Sequence, residues 1–259
     1  MKGLLNIFPL VFFLSLFGLV GCVTTEQKAF DQNVSQEKEL TTRIKIAIGL
    51  IKKGEAELAL VQLQKALKIK PNAARVYEIM AVAFEQVDES REAKRHYKKM
   101  LSYGSEYTRG RANYAGFLIR QKDYKEAYKQ LQKVVADIYY PSRARAFQQL
   151  GLCAKKLGKY DEIEHFYKRA LKLDGNLTEI LLALAEIRFE NGDYAESQKY
   201  LDGYRAKVKP ASAKALFLGI KLAVVFEDKG DEASYALALK NLYPRSKEYL
   251  EYIKTIKVQ

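Results

Sequence analysis

Small residues recur in this chain at a nearly constant interval, inside stretches that are otherwise apolar. The successive steps are 34, 34, 36, 34 and 34 residues, and the long step spans a loop that contains Tyr139, Tyr140 and Pro141. A period of this length is typical of an array of similar units rather than of one large irregular core. The recurring residues are Ala47, Ala81, Ala115, Gly151, Ala185 and Gly219.

The pattern within one period predicts two helices joined by a tight turn. Apolar residues three and four apart place one apolar face on each helix. Turn residues interrupt the pattern at Gly54, Asp88, Gly158 and Gly192. Because one such hairpin cannot bury its own apolar face, the units must stack on one another. The sequence therefore predicts an all-α array of helical hairpins.

This spacing resembles the tetratricopeptide repeat, and Leu150-Gly151 and Gly192-Asp193-Tyr194 match its signature. The resemblance implies a right-handed superhelical solenoid of about six repeats with a C-terminal capping helix. In the sixth unit we expect the first helix to continue through Glu227 and the turn to come late, at Lys229 to Asp231. We place the units at 40–73, 74–107, 108–143, 144–177, 178–211 and 212–245, and the cap at 246–257.

The first 21 residues have the pattern of a secretory leader. Lys2 precedes an apolar run from Leu4 to Val20, as in a signal peptide. A transmembrane anchor is the alternative, but a run of this length with Pro9 inside it is near the lower limit for spanning. We therefore expect a signal peptide over residues 1–21.

The end of the leader, Leu19-Val20-Gly21-Cys22, resembles the bacterial lipobox. The resemblance implies cleavage before Cys22 and attachment of fatty acids such as palmitate to that residue. Val23 stands where an Asp would imply retention in the inner membrane, so the outer membrane is expected. Residues 22–39 are polar and lack sustained periodicity, and we expect a flexible tether there, followed by the repeat domain over 40–259.

Residues suited to catalysis are scarce. The chain has two His and two Cys. Cys153 lies in an apolar stretch, where a buried structural thiol is expected, and His96 and His165 lie among charged residues on second helices, where solvated or interface positions are expected. Motifs of zinc proteases, serine hydrolases, P-loop proteins and dinucleotide-binding proteins are absent from the sequence. We therefore expect a binding protein without catalytic residues, metal or cofactor, apart from the covalent lipid on Cys22.

The groove of the resembled repeat is lined by first-helix positions offset from those that pack. In the first unit, Ile46, Ala47 and Leu50 would be the packing residues. The resemblance then implies partner-binding positions at Ile44, Ile48, Ile51, Arg75, Val82, Arg109, Arg145, Gln148, Leu152 and Lys155.

The three isoleucines among these positions would form an exposed apolar stripe. Our hypothesis is that this stripe receives an apolar segment of a partner protein. The alternative is that Phe30, Val34 and Leu40 fold back and cover it. The residues themselves leave both open.

A lipobox, a short tether and six repeats resemble the type IV pilus biogenesis and stability lipoproteins, the pilotin family of PilF and PilW. Three C-terminal segments carry this resemblance, although Phe217 stands where the family would have Trp. It implies an outer-membrane lipoprotein, facing the periplasm, that binds the pilus secretin subunit and promotes its localisation or multimerisation. The segments are Ala215–Ala223, Ala233–Leu237 and Tyr243–Tyr249.

Other functions remain compatible with the same features. A lipoprotein of the β-barrel assembly machinery also combines a lipid with such repeats, and an adaptor of cell-wall enzymes is a further alternative. The formal net charge of +13 would suit nucleic acid, but export from the cytoplasm argues against that partner. Removing Lys2 with the leader leaves 43 basic against 31 acidic residues, or +12. Phospholipid headgroups of the inner leaflet or an acidic secretin surface are the expected counterparts.

Overall fold

In a computed structural model, the structure describes residues 21–104 and 106–256, with side chains for 30, 32–104 and 106–255. All regular elements in that part of the chain are helices, as the sequence predicts. Nearly all of the expected signal peptide lies outside the described residues. The chain divides into two compact units, of which the first ends at Gly110 and the second begins at Arg111.

The first unit contains two helical hairpins. In the first hairpin α1 packs against α2, and in the second α3 packs against α4, while α1 and α2 also contact α3. The unit ends three residues into α5 (Thr108–Arg120). The four helices are α1 (Gly21–Lys52), α2 (Ala56–Ile69), α3 (Ala74–Gln86) and α4 (Ser90–Tyr103).

The second unit continues from Arg111 with the same alternation of helices and ends in a cap. Pairs α7/α8, α9/α10 and α11/α12 pack as hairpins, and α13 packs on α11. The helices are α6 (Tyr124–Ala136), α7 (Arg143–Lys156), α8 (Tyr160–Leu173), α9 (Thr178–Glu190), α10 (Tyr194–Lys207), α11 (Ala213–Val225), α12 (Lys229–Leu242) and α13 (Lys247–Ile256).

The small residues of the repeat lie in the core, as predicted. All six are buried, because a larger side chain would meet the partner helix. A Cβ built on Gly151 would overlap the Tyr167 ring of α8, and one built on Gly219 would lie 2.8 Å from the Tyr235 ring of α12. The aromatic ring of the second helix thus fills the space that the small residue leaves.

Each helical hairpin turns at a residue in the left-handed region of backbone space. Four of these residues, Gly54, Asp88, Gly158 and Gly192, are the predicted turn markers. The other two are Lys122 (φ 59°) and Glu227 (φ 58°). Residues such as Lys and Glu rarely adopt this conformation. The sequence therefore gives no indication of these two turns.

The predicted late turn of the sixth unit is wrong. Helix α11 ends at Val225 and α12 begins at Lys229, so Lys229 to Asp231 form the first helical turn. The cause is an N-cap: the Asp228 carboxylate accepts a hydrogen bond from the Asp231 backbone N–H at 2.9 Å. The sixth unit therefore keeps the regular hairpin length.

Residues 22–39 are helical and do not form the expected flexible tether. Helix α1 runs without a break from Gly21 to Lys52, and its described side chains before Leu40 are exposed. Leu40 is the first buried side chain of the described residues. The helix thus continues past the core in the amino-terminal direction.

Replacing Gly151 with Ala tests the close approach of α7 and α8. The added methyl overlaps the Tyr167 ring, so we expect a loss of about 1–3 kcal/mol in unfolding free energy. Gly203→Ala in α10 is the matched control, because its Cβ would meet only Leu181 at ordinary contact distances of 3.8–3.9 Å. That change should stabilise the chain by up to about 1 kcal/mol through helix propensity. Urea unfolding measures both, and a Gly151→Ala variant as stable as wild type would contradict this packing.

Candidate functional site

The predicted isoleucine stripe of α1 is divided between core and surface. Ile44 is only 7% exposed and shares a core cluster with Leu40 and Ala47, so its assignment to the groove is wrong. Ile46, assigned to packing, is 45% exposed. The reason is helical register: Leu40, Ile44 and Ala47 follow at i, i+4 and i+7 on one face, whereas Ile46 lies about 200° around the helix from Ile44.

The alternative that upstream residues cover the stripe is also wrong. Phe30 is 66% exposed and Val34 is 37% exposed. Leu40 is buried, but it belongs to the same continuous helix as the stripe and is part of the core. The remaining members, Ile48 and Ile51, are half-buried against that core.

Helix α3 adds Val82 to the remaining isoleucines. Ile51 is tied to α3 by a hydrogen bond of 3.1 Å from Gln86 Nε2 to its carbonyl oxygen. Val82 is half-buried and lies one turn before Gln86 on the same helix. We call Ile48, Ile51 and Val82 the α1/α3 apolar surface.

The two carboxylates next to Val82 on α3 are both engaged by other side chains. Glu78, one turn before it, is buried and accepts a hydrogen bond from the Tyr107 hydroxyl. Burial, and then the Glu78 carboxylate, raise the pKa of Tyr107 to about 12. Glu85, one turn after Val82, accepts a hydrogen bond of 2.7 Å from the Tyr97 hydroxyl. The apolar surface is therefore flanked by acids that already have partners.

The two predicted arginines of the first unit differ in their contacts. Arg109 lies 3.5 Å from Glu78 Oε2 and donates to the Tyr107 hydroxyl, so its guanidinium is already held by its own chain. Arg75, at the start of α3, is exposed. Both arginines are therefore exposed, but Arg109 is already engaged by side chains of its own chain.

The predicted residues of α7 form one stripe in the second unit. Arg145, Gln148, Leu152 and Lys155 are spaced by three, four and three residues, which keeps them on one helical face. The two charged residues are exposed and the middle two are half-buried. Arg145 also lines a cavity of about 460 Å³ beside the Tyr140-Pro141 loop, at the long step of the repeat.

One cavity of the second unit has no counterpart among the residues predicted to bind. It lies between α9, α11 and α13, measures about 290 Å³, and is lined by charged and aromatic side chains. In the sequence, Glu248 and Glu251 lie on one face of the C-terminal amphipathic segment and could have indicated this cavity. We had assigned that segment only to capping.

Residues that could carry chemistry are buried or isolated in the described part of the chain. Cys153 is fully buried, and burial raises its pKa to about 12, as expected for a structural thiol. His96 is buried rather than solvated, and its Nδ1 lies 2.9 Å from the Glu92 carbonyl oxygen. Groups of three or more His, Cys, Asp or Glu that could hold a metal are absent from the described residues.

The residues on which the membrane-related predictions depend lie at or before the start of the described residues. Among the described residues, none of the helices is both long and apolar enough to cross a membrane. Cys22 lies at the second position of α1, but its side chain is not described, and the apolar leader precedes the described residues. Lipidation therefore stays a prediction.

Comparison with protein families gives the class of the fold. Two tetratricopeptide repeat families match the chain, one over residues 108–175 and the other over residues 154–216. Together with the helical hairpins and buried small residues, these matches define a tetratricopeptide repeat protein.

Similarity to known proteins extends over nearly the whole chain. The type IV pilus assembly protein PilF of Pseudomonas aeruginosa is 36% identical over 244 residues, covering 94% of this chain and 96% of that protein. The chain belongs to the PilF family of type IV pilus tetratricopeptide repeat proteins.

Solved structures agree with this assignment. The structure of Pseudomonas aeruginosa PilF matches with a TM-score of 0.75 and 35% identity, covering 85% of this chain and 99% of that one. PilW, described as a widely conserved type IV pilus biogenesis factor, matches with a TM-score of 0.64 over 83% of this chain and 98% of that one. At 22% identity, the second match supports the fold alone.

The burial of His96 predicts a pH-dependent stability. Burial lowers the pKa of His96, so the unfolded chain takes up this proton first as the pH falls below about 6.5. Stability is then lost on acidification, and one such histidine accounts for at most about 1.4 kcal/mol between pH 7.5 and 5.5.

Urea unfolding of His96→Gln at the two pH values tests this prediction. We expect the variant to lose less stability on acidification than wild type does. His165→Gln, at an exposed position, is the matched control and should keep the pH dependence of wild type. An unchanged pH dependence in His96→Gln would contradict the prediction.

Proposed function

We propose that this protein is an outer-membrane lipoprotein that binds the secretin subunit of the type IV pilus and promotes its localisation and multimerisation. The observation that carries the proposal is the 36% identity over 94% of the chain to a type IV pilus assembly protein. The lipobox-like segment Leu19–Cys22 supports the membrane location. A repeat fold with a buried thiol and a buried histidine supports binding rather than catalysis.

The first helix would connect the lipid to the repeat domain. Leu40, the first buried residue among the described side chains of α1, lies eighteen positions after Cys22. At 1.5 Å per residue, a continuous helix of this length extends about 27 Å. In this proposal, the acyl chains on Cys22 hold the amino end of α1 in the inner leaflet of the outer membrane. The repeat domain then stands in the periplasm at a distance set by the helix.

The α1/α3 apolar surface is the proposed contact for an apolar segment of the secretin subunit. Ile48, Ile51 and Val82 supply side chains that are only half-buried in the free protein. The neighbouring Glu78 and Glu85 accept hydrogen bonds from tyrosine hydroxyls. A partner that covers this surface would therefore not have to desolvate carboxylates that lack a partner. Exposed Arg75 would provide a charged rim.

In the second unit, the stripe on α7 is the proposed polar contact for the same partner. Its exposed cations, Arg145 and Lys155, lie on either side of half-buried Leu152. These cations suit an acidic segment, and salt would weaken their contribution.

Complementation of a deletion strain tests the proposal. Loss of the gene should abolish detergent-resistant secretin multimers on a blot, and wild type should restore them. Ile48→Lys and Val82→Lys should restore at least tenfold fewer multimers, because each places a charge on the α1/α3 apolar surface. Ile46→Lys is the matched control: it lies on another face of α1 and is already exposed, so it should complement fully.

Thermal unfolding of each variant separates binding from folding, and Val82→Lys is the second variant should Ile48→Lys lose stability. Cys22→Ala should leave the repeat domain folded but release it from the outer-membrane fraction. Normal secretin multimers in the deletion strain would contradict the proposal. Global depletion of β-barrel outer-membrane proteins would instead indicate a role in barrel assembly.

A further inference from the structure

The cavity in the second unit has three helical walls and a mixed lining. Helices α9 and α13 both contact α11, and the cavity of about 290 Å³ lies where the end of α9 and the start of α13 meet it. This volume is at the lower end for ligand pockets and suits one side chain better than a cofactor. Phe189, Phe217 and Leu218 supply its apolar surface.

Acidic side chains from the two outer helices, α9 and α13, line this cavity. Glu186 and Glu190 come from α9, and Glu248 and Glu251 come from α13. Residues three apart on a helix lie on the same face, so the two carboxyl groups of α13 are neighbours. Neither Glu190 nor Glu251 forms an ion pair within the described residues.

The lysines of the cavity neutralise these acids incompletely. Lys214 Nζ lies 3.9 Å from Glu186 and Lys247 Nζ lies 3.9 Å from Glu248, at the outer limit of an ion pair. Both lysines are largely exposed, and such pairs contribute little. Lys221 lies against the rings of Phe217 and Phe189, at 4.9 and 5.0 Å. Four carboxylates against three ammonium groups leave an acidic cavity on a chain whose net charge is +13.

Glu248 is the unusual member of the set. It is only 8% exposed, yet within the part of the chain that the structure describes its carboxylate accepts no hydrogen bond, and its ion-pair contact is the 3.9 Å approach of Lys247. Glu248 lies in the first turn of α13, where the helix end favours a carboxylate, and its oxygens remain available to a hydrogen-bond donor from a ligand. It lines the cavity, where a ligand can supply that donor.

We propose that this cavity binds an arginine side chain from a segment of a partner protein. The methylene stem would pack on Phe189 and Phe217, and the guanidinium would bridge Glu248 and Glu251. Arginine fits better than lysine because its planar fork can donate to two carboxylates at once and can stack on an aromatic ring. The site is separate from the α1/α3 apolar surface and does not rest on the identity of the secretin as partner.

Fluorescence anisotropy with two labelled peptides tests this site. The probes are fluorescein-Gly-Gly-Leu-Arg-Leu-amide and the same peptide with citrulline, an uncharged isostere, in place of arginine. They are titrated with the full chain in detergent. We expect the arginine peptide to bind at least tenfold more tightly than the citrulline peptide, with an affinity that falls as salt rises.

Three variants and one control locate the binding. Glu248→Gln should weaken the arginine peptide at least tenfold. Glu190→Gln and Glu251→Gln, at exposed positions where folding is not at risk, should each weaken it severalfold. Glu227→Gln, exposed in the α11–α12 turn away from the cavity, should bind as wild type does. Equal binding of the two peptides, or wild-type affinity in both Glu248→Gln and Glu251→Gln, would overturn the proposal. Preference for a peptide with Glu in place of Arg would overturn it as well.

Discussion

Close contact between the two helices of each hairpin is the constraint on which the rest of the structure depends. A residue no larger than alanine lies on each first helix, and all six of these residues are buried. Where the residue is glycine, a tyrosine ring of the second helix occupies the space, as with Gly151 and Tyr167. This contact fixes which faces of the helices remain for neighbouring hairpins, and therefore which side chains remain for a partner.

Periodicity was sufficient to predict the helical hairpins, because the residues that recur in the sequence are the ones that are buried between helices. The sequence did not reveal features that depend on single backbone conformations. Lys122 and Glu227 turn the chain with positive φ angles although neither residue favours them, and the sixth turn was consequently placed too late. Residues 22–39 carry no amphipathic pattern, and their described side chains are exposed, yet a helix can continue through a polar segment.

The candidate site was harder to predict than the fold, since it depends on register rather than on period. Ile44 and Ile46 are both apolar and two residues apart, and only their positions relative to α2 and α3 decide that the first is buried. The engagement of Glu78 by Tyr107 joins residues 29 apart, which no local pattern indicates. What remains accessible, Ile48, Ile51 and Val82, is a smaller surface than the predicted stripe but one whose acidic neighbours are already satisfied.

In the proposed function, the α1/α3 apolar surface contacts the secretin subunit. Site-specific photo-crosslinking in cells tests it most directly, with benzoylphenylalanine placed at Val82 and, as the matched position, at Ile46. We expect a crosslink to the secretin subunit from position 82 and none from position 46. A crosslink from position 46 alone, or none from position 82 while secretin multimers form normally, would contradict it.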